Sequence, residues 1–179
     1  SEFRMFRVMT EVSGRPTSIT VEQQDARPEW WKELLDAVTD AQNDGLPMRG
    51  QVPPRATGVL LGLTATLHPF SFHPSYRRLH PMSLEARVAE MRKPEVRAAL
   101  IGEESTLTQG LAAEIISGWH KMFRLGDPAN YEPAPEDSFA GLAESMGSTP
   151  QEIAYDALLE KDGKALIYHP LFNYLTGDL

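Results

Sequence analysis

The sequence predicts an α/β fold leaning to mostly helical, with one βαβ unit near the start and helices dominating the rest of the chain. Gly14-Arg15-Pro16-Thr17-Ser18-Ile19-Thr20-Val21-Glu22-Gln23 and Gly45-Leu46-Pro47-Met48-Arg49-Gly50-Gln51-Val52-Pro53-Pro54-Arg55 share one rhythm of glycine, proline, extended apolar segment and polar end. Between them lies one amphipathic helix, and strand, helix and strand together make the unit from which parallel sheets and (β/α) barrels are built. Beyond it the chain turns helical.

Each element has its own local cause. The first helical pattern, Met5, Phe6, Met9 and Val12, closes at Gly14 as a C′ residue, and Pro16 launches the β-branched strand Thr17 to Val21. Glu22, Gln23, Gln24 and Asp25 lie at or just past the C-terminal end of that strand. Pro28 suits a helix N1 position, Trp31, Leu34, Leu35 and Val38 recur at helical spacing, and Asn43-Asp44-Gly45 ends the helix. Met48 to Val52 is the second strand, stopped by Pro53-Pro54 because proline cannot donate to the ladder, and Arg55 follows on the rim.

The stretch from Thr57 to Phe72 is apolar yet rich in glycine, threonine and proline, and reads as a long ordered loop with a short helix or strand at Val59 to Leu63. Ser83 caps a helix through Met91, Lys93-Pro94 breaks it, and a second helix runs to about Gly102. Gln109 to His120 is amphipathic, with Leu111, Ile115 and Trp119 at i, i+4 and i+8. A turn at Leu125-Gly126-Asp127-Pro128 and a proline-stiffened connector, Tyr131 to Pro135, come next. Thr149-Pro150-Gln151-Glu152 combines a capping box with proline at N1, starting a helix to Lys161; Asp162-Gly163 then turns into a strand at Ala165 to Tyr168.

Composition bounds the function. A chain of 179 residues with 41% hydrophobic and 23% charged residues suits one domain with a real core, and is too short for a complete (β/α)8 barrel of about 250 residues. A net charge of −8, without a stripe of lysine and arginine, argues against nucleic acid as partner. With zero cysteines, disulfides, thiolate metal sites and cysteine nucleophiles drop out, and a reduced, cytoplasmic setting fits. The longest apolar run, Gly58 to Leu63, falls far short of the roughly 20 residues of a membrane span, so no membrane partner is expected. Ser1-Glu2-Phe3 reads as a cloning remnant, and Phe172 to Leu179 ends abruptly in a loop. The expected layout is therefore a remnant at 1–3, a helix with the βαβ unit at 4–56, and a mainly helical region at 57–179.

Four of the five histidines precede proline: His68, His73, His80 and His169. Their spacing matches neither His-x-His on a strand nor i, i+4 on a helix, so they read as turn-forming residues with hydrogen-bonded rings. Two alternatives stay open: His73 at a substrate pocket, and a metal held jointly by His68, His73 and His80. No nucleophile elbow, dinucleotide fingerprint or phosphate loop is present, and the paired carboxylates Glu103-Glu104 and Glu136-Asp137 suit helix ends and exposed faces. No catalytic residue and no metal ligand set is assigned. The best candidates are substrate-binding residues where strand ends would meet a ligand: Gln23, Gln51 and Arg55, with His73 besides. Arg55 is equally suited to a bidentate grip on a substrate carboxylate and to a local ion pair.

Longer segments carry a family likeness. Pro54-Arg55-Ala56-Thr57-Gly58-Val59-Leu60-Leu61-Gly62-Leu63, Leu67-His68-Pro69-Phe70-Ser71-Phe72-His73-Pro74-Ser75-Tyr76, the stretch from Leu125 to Ser138 and Leu171-Phe172-Asn173-Tyr174 resemble the N-acyl-D-amino-acid deacylases of the amidohydrolase superfamily. The likeness runs in unbroken order over nearly the whole chain after Phe3. It implies a (β/α)8 hydrolase that uses zinc to cleave N-acyl-D-amino acids into a carboxylate and a D-amino acid. The family's His-x-His and Asp-Gly-Gly-Ala-His segments have no counterpart here, and where many relatives carry Ser-His-His-Lys this chain reads Ser18-Ile19-Thr20-Val21-Glu22. No metal ligand carries over. The resemblance thus implies the middle of such an enzyme, one βαβ unit of the barrel plus a large helical insertion, inactive and without zinc by itself. Uncovered strand edges and apolar faces would favour a homo-oligomer. The rival reading is a non-catalytic binding or interaction module with an amidohydrolase-like half-fold.

Overall fold

A computed structural model describes residues 2–174 and shows a mixed α/β chain in which helix predominates. By contacts it divides into two compact units, Ser1–Thr57 with Pro170–Leu179, and Gly58–His169. Ser1 and the expected terminal loop beyond Tyr174 lie outside the described residues.

The first unit is built on α1 (Glu2–Ser13), β1 (Thr17–Thr20), α2 (Trp30–Asn43) and β2 (Met48–Gln51). Glu2 and Phe3, read from sequence as a remnant, form the first turn of α1. Gly14 ends that helix in the left-handed region at φ 63°, where a side chain would be strained, and donates its N–H to Thr10 O at 2.9 Å. Thr10, buried within α1, bonds Phe6 O at 2.8 Å and the Thr17 hydroxyl at 2.6 Å, tying the helix to the start of β1. The two strands pair in parallel, from Thr17 opposite Met48 to Thr20 opposite Gln51, and α2 supplies the crossover. Ile19, Val21, Leu34, Val38, Ala41 and Met48 form the core, with Phe3, Phe6, Trp30, Trp31, Leu35 and Leu46 packed around it. Gly50 admits this close approach of helix to sheet: a Cβ there would lie 3.0 Å from Val21 Cγ2 and 3.2 Å from Leu35 Cδ2. Since β1 and β2 form a two-stranded sheet, the outer edge of each lacks a ladder partner among the described residues.

The second unit is mostly helical: α3 (Pro74–Leu79), α4 (Leu84–Met91), α5 (Pro94–Gly102), α6 (Leu111–Ser117), α7 (Phe139–Met146) and α8 (Pro150–Gly163). Alongside them runs a three-stranded sheet of β3 (Thr57–Leu61), β4 (Phe123–Arg124) and β5 (Ile167–Phe172) in the order β3-β5-β4, with β4 antiparallel to β5. Phe70, Tyr76, Met91, Leu100, Met122, Phe139, Tyr155, Leu158 and Ile167 are its fully buried centre. The Tyr155 hydroxyl donates to Met91 O at 2.6 Å, joining α8 to the end of α4.

Several boundaries differ from the sequence reading. The helix expected over Gln109 to His120 is confined to α6, bracketed by Gly110 at φ 85° and Gly118, with a 3-10 turn at Trp119–Lys121. Leu111, counted in its apolar stripe, is 59% exposed. The short helix or strand expected at 59–63 is a strand that begins earlier and stops before Gly62, where a Cβ would meet Leu166 Cδ2 at 2.9 Å and Ala165 O at 3.0 Å. The α2 helix starts at Trp30 because tight turns between Gln24 and Trp30 take up Pro28. Short elements α3, α7 and β4 add to the expected set. Among the described residues no helix is long and apolar enough to cross a membrane.

Candidate functional site

Because β1 and β2 run in parallel, their polar C-terminal segments emerge at the same end of the pair. The ladder is extended there by Val21 N–H donating to Gln51 O at 2.9 Å. Gln51 itself is exposed. Gln23, two residues past Val21, is buried, and its backbone is held at both poles by one residue far along the chain: its N–H donates to Asn173 Oδ1 at 2.7 Å and its carbonyl accepts from Asn173 N–H at 3.1 Å. An antiparallel bridge between Gln24 and Phe172 completes the clasp. Asn173 sits in the left-handed region at φ 59°, which asparagine tolerates better than other residues bearing a Cβ. Its amide orientation is dictated by chemistry: the oxygen must face the Gln23 N–H, which leaves the buried Nδ2 as a donor without a protein partner among the described residues. Beside this clasp Glu22 is half-buried, and desolvation pushes its carboxyl above the ordinary carboxylate range.

Arg55, four residues beyond β2, is exposed and bonds Ala56 O at 3.4 Å. The sequence candidates Gln23 and Gln51 thus share the rim of the parallel pair, with Arg55 on the segment leaving it.

On the helical side of the first unit, a cleft of about 840 Å³ opens between α1, the outer edge of β1 and α2. Phe3, Phe6, Ile19, Trp30 and Leu34 give it apolar walls, and Arg27 and Glu33 are the charged residues at its α2 side. The Arg27 guanidinium lies 5.1 Å from the Trp30 ring centroid and 3.3 Å from Glu33 Oε2. Such a lining suits an apolar group or an extended chain laid along the open edge. Among the described residues that line it there is no histidine or cysteine.

His73 belongs to the second unit. It is the N-cap residue of α3, buried, with Nδ1 3.0 Å from Leu100 O, so the proton resides on Nδ1 and is donated to that carbonyl. Burial lowers its pKa against the opposing effect of the Leu100 bond. His68 is still more enclosed: Nδ1 accepts from Phe70 N–H at 3.2 Å, the ring meets Tyr76 edge-on at 4.3 Å, and desolvation, aided by Arg87, lowers its pKa to about 3. Arg87 donates to Leu63 O, His80 O and Met82 O at 3.1–3.2 Å and to the Tyr76 hydroxyl at 2.9 Å, pinning the chain around this cluster. Among the described residues, no group of three or more histidine, aspartate or glutamate side chains is placed to hold a metal ion. The joint site of His68, His73 and His80 is therefore not formed.

Sequence reasoning missed Asn173, Arg87 and the Arg27–Trp30 wall. Only Asn173 left a trace, as an asparagine just after a strand, a position that favours the left-handed turn it makes. Compared with protein-family models, curated proteins and solved structures, the chain matches none.

Proposed function

We propose that this chain forms one wall of the substrate site of an N-acyl-D-amino-acid deacylase of the amidohydrolase superfamily, and that the chain alone is catalytically silent. The reaction is hydrolysis of the N-acyl amide to a carboxylate and a D-amino acid. The reading rests on the four segments that resemble that family. The structural observation supporting it is the parallel β1–α2–β2 unit, with its polar ends on one rim and the outer edge of β1 open beside an apolar cleft. A further strand of a (β/α)8 barrel would cover such an edge.

Exposed Gln51 and Arg55 are the residues proposed to touch substrate, Arg55 gripping its carboxylate. Buried Gln23, engaged through its backbone, is proposed to shape their surroundings. No metal ligand of the family carries over onto this chain, and no residue of it is proposed to hold the zinc that the family uses. No chemical step is assigned to this chain.

The test compares the purified chain with the product of the whole reading frame that contains it, each supplied with zinc and either N-acetyl-D-methionine or N-acetyl-L-methionine. The chain is expected to release no acetate. The longer product is expected to hydrolyse the D form, to lose activity with a chelator, and to show a KM raised about tenfold or more by Arg55→Met, as expected when a charged hydrogen bond to substrate is lost. A longer product inert on both enantiomers, from a frame without His-x-His upstream and Asp-Gly-Gly-Ala-His downstream, would overturn the reading in favour of a non-catalytic binding module.

A further inference from the structure

Helix α1 carries two apolar faces, and the core uses one of them. Phe3 and Phe6 pack against the core of the first unit and Thr10 is buried beneath them. Turned away from these lie Met5, Val8, Met9 and Val12, spaced i, i+3, i+4 and i+7, with exposures of 54, 47, 57 and 84%. A stripe of four such side chains along about two turns of helix differs from the singly scattered apolar residues of an ordinary surface. Shallow hollows flank it, one beside Arg4, Met5, Val8 and Met9 and another reaching from Val8 past Val12 to Thr17.

The charges beside the stripe identify what covers it. Arg4 and Glu11 lie along the same border, one near each end of the helix. Arg4 is exposed and has no carboxylate partner among the described residues, while Glu11 is half-exposed and meets Arg7 through one oxygen only. If a second α1 is laid on the stripe in parallel, the twofold sets the Arg4–Glu11 border of each copy against the opposite border of the other, so Arg4 and Glu11 do not meet. If it is laid antiparallel, Arg4 of each copy faces Glu11 of the other, twice, while Met5 lies over Val12 and Val8 over Met9. The stripe is self-complementary about a twofold axis, in shape and in charge. We propose that two copies of this chain dimerise through an antiparallel pairing of their α1 helices, with Met5, Val8, Met9 and Val12 as the buried seam. Four apolar side chains and two charges a side are far fewer than the roughly 20–30 residues of a standard interface, so the dimer is concentration-dependent. This inference does not rest on the deacylase reading.

The test is analytical ultracentrifugation of the full chain over a dilution series, with circular dichroism to verify folding of each variant. The parent chain is expected to move from monomer to dimer with rising concentration. Val8→Asp, at an exposed position, is expected to leave a folded monomer. Arg4→Glu alone and Glu11→Arg alone are each expected to weaken self-association by roughly tenfold or more, from the new like-charge pairs. An equimolar mixture of those two variants is expected to form a heterodimer more tightly than either variant pairs with itself, because one copy then carries acids at positions 4 and 11 and the other arginines at both, so each of the two pairs joins opposite charges. A parent chain monomeric at all concentrations, a dimer indifferent to Val8→Asp, or a mixture no tighter than either variant alone overturns the proposal. So does a monomer that instead co-sediments with phosphatidylcholine vesicles, which would assign the stripe to a lipid surface.

Discussion

Asn173 shows how one residue can close a structure and yet escape a reading of the sequence. Its left-handed backbone follows from its chemistry, but its partner Gln23 lies 150 positions away, and no local pattern encodes that distance. Gln23 itself was legible as a residue at a strand end; that it is buried was not, because its burial comes from the clasp. Asn173→Ala is expected to lower stability by about 1–3 kcal/mol, the cost of leaving the buried Gln23 N–H unpaired. Asn173→Asp keeps the accepting oxygen and is expected to lose less. Urea unfolding followed by the fluorescence of Trp30 and Trp31, in a Trp119→Phe background, measures both. Arg87 was illegible for a related reason. Its value lies in four oxygens brought to one point by two turns, and none of those oxygens except the Tyr76 hydroxyl belongs to a side chain.

At the scale of elements, the legible features were those with local causes. The break at Lys93-Pro94, the Ser83 cap and the capping box at Thr149 appear where the sequence puts them, since each depends on atoms within a few residues. The parallel register of β1 and β2 was foreshadowed by the repeated glycine-proline entry and by the crossover helix between them. The losses occurred where tertiary contacts overrode periodicity. Leu111 continues the helical spacing of Ile115 yet faces solvent, and Gly118 stops α6 where a Cβ would lie 2.6 Å from His169 Cε1. The α7 helix starts from a serine cap that was there to be read, Ser138 accepting from Gly141 N–H at 3.1 Å, but the prolines before it masked the signal. Removing the sharper cap gives a measurable expectation: Thr149→Ala lowers stability by about 1 kcal/mol, and Thr149→Ser is nearly neutral. Thermal unfolding of the two variants side by side checks it.

For the molecule as a whole, the buried histidines set a dependence on acidity. His68 has a folded-state pKa of about 3, below its ordinary value of 6.5, because burial disfavours the charged ring, and His73 is shifted in the same direction. Well above pH 6.5 both rings are neutral whether the chain is folded or not, and they exert no pull. As pH falls from there toward 3, the unfolded chain takes up protons that the folded chain refuses, and stability drops by on the order of 1 kcal/mol per pH unit for such a group. His68→Asn, which keeps an acceptor for Phe70 N–H, is expected to flatten that slope. Urea midpoints at a series of pH values in wild type and variant measure it; equal slopes would show that His68 does not carry the effect.

The clasp at Gln23 also sets a timetable for the newborn chain. The strand pair of β1 and β2 leaves the ribosome well before the asparagine that secures it, which emerges 150 residues after Gln23. At roughly 5–20 residues per second, that interval lasts about 8–30 s. Throughout it, the segment after β1 has no Asn173 to bind. Of this chain, the part made early is among the last to be finished, and during translation it is the part a holding chaperone would meet.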